Sequence, residues 1–188
     1  MKLLRSSDYK HMPWKNGGGE TVEITVFPPD ASVDNFDWRI SMATVASDGP
    51  FSIFPYIDRT LSILSGNGMS LWMDGREAVL MTLSSPPLAL PADIPVEATL
   101  VDGPITDLNV MTRRGRYRHS VERVSGRFSV SKQADTETVL MLATGDVSAV
   151  SDHQSVALTA LDAVSISCTV AVQADHIVCY IIRLTPED

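Results

Sequence analysis

Residues 49–71 read GPFSIFPYIDRTLSILSGNGMSL. Polar and apolar side chains alternate from Arg59 to Leu64 and again from Met69 to Met73, as they do in strands with one buried face. Residues 65–68, SGNG, lie between these two runs and tolerate the positive φ angles of a tight turn. The stretch therefore predicts a loop followed by a β-hairpin with one face toward a core.

The same stretch resembles the metal-binding signature of cupins, which has two histidines separated by one residue, then a glutamate, then a glycine in the hairpin turn. At that spacing this chain has Ser52, Phe54, Arg59 and Gly66. These side chains cannot replace the imidazole and carboxylate ligands of a divalent cation, so no metal site is predicted. An arginine instead supplies a planar fork of donors that suits a carboxylate. The stretch predicts an anion-binding pocket.

A run of three glycines occurs in PWKNGGGET, residues 13–21. Glycines in succession are poor interior residues for helices or strands, and they fit a loop whose backbone passes close to another group. A phosphate-binding P-loop is excluded because no Gly-Lys-Ser/Thr follows. Two interpretations stay open. The run is a flexible turn, or the N–H groups of Gly17 and Gly18 join Lys15 and Asn16 in an anion site beside Trp14.

The segment FDWRISMATV, residues 36–45, alternates as a strand and places Arg39 and Ser41 on one face. That face is either solvent-exposed or directed into a barrel lumen. Short strands separated by Gly- and Pro-rich turns continue along the chain, and no segment before residue 112 has a helical period. The pattern predicts an all-β sandwich or barrel.

Composition limits the function classes. The 188 residues are 44% hydrophobic, enough for a substantial core, and the formal net charge is −8. An acidic chain is a poor ligand for nucleic acid or for an anionic membrane. No apolar run approaches the ~18 residues that span a bilayer, and no secretory signal is evident. We expect a cytoplasmic protein whose two cysteines, Cys168 and Cys179, are reduced core thiols.

Residues 113–127, RRGRYRHSVERVSGR, form a local excess of positive charge. One interpretation is RNA binding with Tyr117 as a stacking partner. The other is a solvated strand and linker whose arginines pair with acidic neighbours, which the net charge of the chain favours.

The segment VLMLATGDVSAV, residues 139–150, is similar to LSILSGNGMSLW, residues 61–72, with Gly145 in the place of Gly66. We therefore predict a duplicated β-unit. Residues 1–125 would carry the pocket, and residues 126–188 would be a degenerate second unit packed with the first into one compact body. The second unit lacks the Phe, Asp and Arg cluster, so its predicted role is structural or an oligomerisation surface.

Four blocks together resemble the HutD/Ves family: PWKNGGGET, DWRISMATV, the Phe-Pro-Asp-Arg cluster of residues 49–71, and DGPITDLNVMTRRG (102–115). The resemblance implies a double cupin-like jelly-roll barrel, or bicupin, without the usual cupin metal and without a cofactor. It also implies a regulatory role in histidine utilisation through binding of urocanate or formylglutamate, with no established catalytic activity. Two departures concern the pocket, because Tyr56 stands where the family pattern has Gly in Phe-Pro-Gly, and Ala92 stands in place of the Gly of Phe-x-Gly-Asp.

The predicted ligand-binding set combines these blocks with the residue chemistry. Arginines and a lysine hold a carboxylate, aromatic rings cover an apolar or planar body, and small or polar residues complete the pocket. The set comprises Trp14, Lys15, Asn16, Gly17, Gly18, Arg39, Ser41, Phe51, Ser52, Phe54, Arg59, Asn109 and Arg113.

Three functions stay open at this point. The first is a carboxylate-binding module. The second is a hydrolase or isomerase for a small carboxylate, in which Asp58 or Asp107 acts as a base if it shares the pocket with the arginines. The histidines are scattered and form no metal-binding pair. The third is a component that contacts a regulatory protein or a second copy of the chain.

Overall fold

A computed structural model of the chain describes residues 1–14, 17–75, 77–134, 136 and 138–187. These residues form β-strands and a single short 3-10 turn at Ser6–Asp8, which confirms the all-β prediction. Among them, no helix combines the length and the hydropathy needed to span a membrane. The strands are β1 Lys2–Leu4, β2 Lys10–Pro13, β3 Gly19–Phe27, β4 Trp38–Val45, β5 Gly49–Pro50, β6 Ile57–Ser65, β7 Met69–Met73, β8 Val79–Met81, β9 Leu88–Pro91, β10 Val96–Leu100, β11 Ile105–Arg113, β12 Tyr117–Val130, β13 Thr138–Ala143, β14 Val147–Val150, β15 Ser155–Leu158, β16 Ala163–Ser165 and β17 Val170–Pro186.

The chain divides into two compact units. Residues Lys10–Arg114 form one, here called the pocket unit, and Met1–Tyr9 with Gly115–Asp188 form the other, here called the terminal unit. The sequence predicts a boundary at residue 125, whereas the two compact units divide after Arg114 and the first nine residues belong to the terminal unit. The reason is strand pairing, since β1 pairs with β16 and β12 pairs with β17 along its whole length.

The pocket unit contains two antiparallel sheets. One has the order β2-β3-β4-β11-β6-β9 and the other has the order β5-β10-β7-β8. Apolar side chains of both sheets share one core, for example Leu61 and Ile63 of β6 with Leu71 of β7 and Val96 of β10. Burial of this shared apolar surface is the main favourable contribution to the unit's stability.

The prediction of a hairpin between β6 and β7 is wrong, although both strands form. β6 pairs with β11 and β9, whereas β7 pairs with β10 and β8. The turn between them carries the chain from one sheet to the other. Gly66 and Gly68 adopt positive φ values of 89° and 103°, and a Cβ at Gly68 would collide with the Met81 carbonyl oxygen. Alternation reports which face is buried but not which strand is the partner, so the pattern could not reveal this crossover.

The terminal unit is a seven-stranded sheet in which the long strand β17 pairs with β12, β13 and β14. Its core includes Val139, Met141, Val164 and Ile181. Most of the arginine-rich segment, residues 113–127, lies in β12, which is paired with β17. Cys179 is a buried thiol whose pKa burial raises to about 11. Cys168 corrects the expectation of two core thiols, because it lies exposed in the bend between β16 and β17.

Asp162 fastens the first residues of the chain to the terminal unit. Its buried carboxylate accepts hydrogen bonds from the Arg5 guanidinium at 2.7 Å, the Ser6 N–H at 2.8 Å, and the N–H and hydroxyl of Thr159 at 2.9 Å each. Burial alone would raise the pKa of Asp162, but these donors outweigh it and lower the pKa to about 2.

We expect Asp162→Asn to lower the free energy of unfolding by about 1–3 kcal/mol near neutral pH, because buried donors lose a charged acceptor. The folded pKa lies below the ordinary value of 3.8, so this stabilisation is present above 3.8 and is lost as the pH falls through about 2. Urea unfolding of both proteins at several pH values measures the effect. A deficit that stayed constant down to the lowest pH would contradict the role of the ionised carboxylate.

Candidate functional site

Three neighbouring strands of the pocket unit form the floor of the site. In the β4–β11–β6 register, Met111 lies between Arg39 and Arg59, and Asn109 lies between Ser41 and Leu61. Side chains two residues apart on a strand share a face. Arg39, Ser41, Arg59, Asn109 and the next residue along, Asp107, are therefore directed to the same side of the sheet, which is the lumen alternative left open for Arg39.

A cavity of about 760 Å³ lies over this floor. Most of the predicted set lines it: Trp14, Gly18, Arg39, Ser41, Phe51, Ser52, Phe54, Arg59 and Asn109. Thr21, Asp48 and Asp107 also line it and were not in that set. Apolar and aromatic walls with a few convergent polar groups are typical of a small-molecule site.

Arg59 is the central cation of the cavity. Its side chain is only 5% exposed, and its guanidinium carbon lies 5.3 Å from the centroid of the Phe51 ring and 5.5 Å from that of Phe54. Its buried Nε has no hydrogen-bond partner among the described residues. Burial lowers the pKa of Arg59 to about 10, against the opposing effect of Asp107 and with a further lowering by Arg39. Arg59 therefore stays charged at neutral pH and has an unused donor.

Arg39 differs from Arg59 because a carboxylate already neutralises it. Its Nε donates to Oε2 of Glu23 at 2.7 Å, and both side chains are largely buried. Glu23 was missed by the sequence analysis. A bulge in β3 between Glu23 and Thr25 shifts the register and brings Glu23 opposite Ser41. Among the described residues, one guanidinium of the site therefore forms an ion pair and the other does not.

Asp107 is the buried acid of the site. It is 1% exposed, and its Oδ1 accepts a hydrogen bond of 2.5 Å from the Asn109 amide. Burial raises its pKa to about 7, although the Arg59 charge, the Ala43 N–H and the Asn109 amide lower it. The condition set for Asp107, that it share a pocket with the arginines, is met. Asp58 does not meet it, because it lies outside the lining and pairs with Arg114.

The glycine-rich turn supplies one wall. The Trp14 ring N–H donates to the Thr21 hydroxyl at 2.9 Å, and the Gly17 N–H donates to the Trp14 carbonyl at 3.1 Å. Gly17 does not line the cavity, so its N–H is not part of the predicted anion site. Gly19 packs against β4 so closely that a Cβ there would overlap the Thr44 carbonyl oxygen. Of the predicted set, Lys15 and Asn16 lie outside the described residues.

Arg113 lies apart from the cavity. Its Nε donates to the Phe36 carbonyl at 2.9 Å and its Nη2 donates to the Asp34 carbonyl at 3.1 Å, while its guanidinium carbon lies 5.8 Å from the Phe36 ring centroid. These bonds give Arg113 a structural role that tethers the β3–β4 connection.

The comparisons with known proteins give one family. The family model HutD matches residues 6–179 of the chain. The chain belongs to the HutD family.

Relatives of the family agree with this membership. An uncharacterized 21.2 kDa protein in the hutC 3' region of Pseudomonas putida is 36% identical over 136 residues, which is 72% of this chain and 70% of that protein. Protein Ves of Citrobacter koseri is 42% identical over 125 residues, 64% of this chain and 63% of that protein. HutD from Pseudomonas fluorescens SBW25, in a structure described as a formate condition, is 30% identical with a TM-score of 0.84, covering 100% of this chain and 99% of that chain.

More distant structures concern the fold alone. A cupin 2 conserved barrel domain protein from Leptotrichia buccalis is 11% identical with a TM-score of 0.56, over 89% of this chain and 88% of that chain. The fold is therefore cupin-like. Within the described parts of the chain, no group of three or more His, Cys, Asp or Glu is placed to hold a metal ion.

The two departures from the family pattern leave the cavity unobstructed. Tyr56 keeps the left-handed conformation that glycine would adopt, with a φ of 62°, and its side chain is 71% exposed and outside the lining. Ala92 is buried beside Phe36 and Ile57 in a small apolar cluster, where its Cβ is accommodated. The left-handed φ at Tyr56 therefore carries backbone strain that a glycine there would not.

We expect Tyr56→Gly to raise the free energy of unfolding by up to about 1 kcal/mol, because relief of about 1–2 kcal/mol of left-handed strain exceeds the added backbone entropy of glycine. Tyr56→Ala is the matched control, since it removes the ring and keeps the strain. Chemical denaturation compares the three proteins. A loss of stability in the Gly variant that equals the loss in the Ala variant would mean that the ring, not the backbone, decides stability at this position.

Proposed function

We propose that this protein is a non-catalytic binding protein for a small carboxylate, acting as a regulator or sensor in histidine utilisation, with urocanate or formylglutamate as its ligand. The observation that carries the proposal is the state of Arg59. No carboxylate among the described residues forms an ion pair with this buried guanidinium, and a buried charge is costly unless something pairs with it. A carboxylate ligand supplies that partner.

The walls of the cavity fit the rest of such a ligand. The Phe51 and Phe54 rings lie within cation–π distance of the Arg59 guanidinium, and Trp14 adds a third aromatic side chain to the lining. A planar or apolar body is covered by these rings while its carboxylate meets the guanidinium fork. The formate condition of the HutD structure from Pseudomonas fluorescens makes formate the smallest useful probe of this subsite.

We also propose a bicupin architecture and a cytoplasmic location for this protein. We assign the terminal unit as a second, degenerate cupin-like unit of a bicupin, because its β13 and β14 repeat the strand–turn–strand pattern of β6 and β7 without the Phe, Asp and Arg cluster. A cytoplasmic location suits a sensor of a catabolic intermediate, and such a sensor acts through a regulatory protein or through a homodimer.

We expect Arg59→Gln to weaken carboxylate binding by about 2–5 kcal/mol, since it removes one partner of a desolvated charge pair. That is a loss of about thirtyfold or more in affinity. The matched control is Arg113→Gln, which removes an arginine that also lies against a phenylalanine ring in the pocket unit but outside the cavity. Arg113→Gln should bind the carboxylate with the affinity of the wild type.

A thermal-shift panel of formate, urocanate, formylglutamate and histidine provides the measurement. A ligand at a hundred times its dissociation constant stabilises by about 2.7 kcal/mol, which for a chain of this size is a shift of about 5–10 °C. A selective shift that is lost only in Arg59→Gln supports the proposal. Equal shifts in wild type and Arg59→Gln, or no shift with any acid, would remove its basis and favour a protein-interaction role.

A second candidate is an enzyme, a hydrolase or isomerase acting on a small carboxylate, and one observation favours it. Asp107 shares the cavity with Arg59 and has a raised pKa, as general acids and bases often do. Prolonged incubation of urocanate or formylglutamate with pure protein, followed by chromatography, separates the two candidates. The binding proposal predicts unchanged ligand. Turnover that disappears in Asp107→Asn would establish the enzyme instead.

A further inference from the structure

The net charge of the buried groups at the cavity depends on whether Asp107 is protonated. Arg39 and Glu23 form a buried pair and cancel each other. Arg59 and Asp107 remain, both almost fully buried, and no ion pair joins them within the described residues. With Asp107 ionised, these four groups sum to zero, and a bound carboxylate would bring a second buried negative charge near the first. With Asp107 protonated, they carry one positive charge, which one carboxylate neutralises.

The described groups around Asp107 offer no other means to absorb that negative charge. β6 contributes Arg59, and β4 contributes Arg39, which is already paired with Glu23 of β3. On β11 itself the neighbour is the neutral amide of Asn109. The remaining charged group in the described lining is Asp48, whose Oδ1 accepts the Leu100 N–H and whose charge has the same sign as the ligand.

We infer that Asp107 is the proton site of the pocket, so that an anionic ligand binds at Arg59 together with one proton that Asp107 takes from solvent. This inference rests on the proposed carboxylate-binding function. It makes Asp107 a residue that sets ligand affinity through its protonation state, and it makes the sensor responsive to pH as well as to ligand.

The sign of the effect follows from linkage. Burial already raises the pKa of Asp107 to about 7 in the free protein, and a nearby ligand carboxylate raises it further. Below the free pKa the proton is already bound, and affinity does not depend on pH. Above it each binding event takes up a proton, so affinity falls by up to about tenfold per pH unit.

Calorimetric titration of the whole chain with formate, from about pH 5.5 to about pH 8.5, tests the linkage because formate itself stays ionised throughout. Bis-Tris chloride at the acid end, and triethanolamine and Tris chloride above about pH 7, avoid both competing carboxylates and the imidazole ring of urocanate, and the different ionisation enthalpies of the last two buffers report proton uptake directly. We expect constant affinity at the acid end, a steep decline above about pH 7, and uptake approaching one proton per formate in that region. Asp107→Asn should bind formate with the acid-limit affinity of the wild type at every pH.

Two variants outside the cavity serve as controls. His11→Gln removes the one histidine of the pocket unit, whose ring bonds Glu20, and Asp58→Asn removes an exposed carboxylate that pairs with Arg114. Both should keep the wild-type pH profile. Formate binding by the wild type with a flat pH profile and no proton uptake would overturn the role of Asp107 and leave the carboxylate site intact. Loss of the pH dependence of formate affinity in His11→Gln would do the same. Absence of formate binding at every pH would overturn the carboxylate site and this inference together.

Discussion

The buried guanidinium of Arg59 is the feature on which the pocket depends. Removing a cation from water costs several kcal/mol in an effective protein environment, and the nearby Phe51 and Phe54 rings return only about 0.5–2 kcal/mol by cation–π attraction. Asp107 shares the cavity but forms no ion pair with it among the described residues. The pocket unit therefore holds a charge that its own side chains leave partly uncompensated, and this is the state expected of a site built to receive an anion.

The rest of the pocket unit holds that charge in place. β6 lies between β11 and β9, so the backbone that carries Arg59 is paired on both sides. The Phe51 and Phe54 rings come from the loop before β6, and the Phe54 N–H is fixed by the Ala92 carbonyl at 2.8 Å. Beyond the pocket, Arg114 ties the start of β6 to the segment after β9, because it bonds Asp58 at 2.7 Å and Asp93 at 2.6 Å. Rigid support of this kind limits the entropy lost when a ligand binds.

Part of this arrangement could be predicted from the sequence. Period-two alternation places Arg39 and Ser41 on one face, and the cupin-like spacing identifies Arg59, because both depend on local order along one strand. The partner of β6 could not be predicted, since the pairing is fixed by distant strands and the turn at Gly66 changes sheets. Glu23 was missed because a bulge moves it into register, and Asp107 was left out of the ligand set because burial, which gives it its chemistry, is a tertiary property.

Arginine Nε–H correlation spectra of ¹⁵N-labelled protein give the most direct test of the central claim, that the unpaired donor of Arg59 is the carboxylate receptor. The Arg59 resonance is assigned by its absence in Arg59→Gln. On titration with formate, the account predicts a saturable shift of that resonance, with the resonance of the Glu23-paired Arg39 changing less. An unchanged Arg59 resonance under conditions where formate binds would contradict the account, because the anion would then occupy a different part of the molecule.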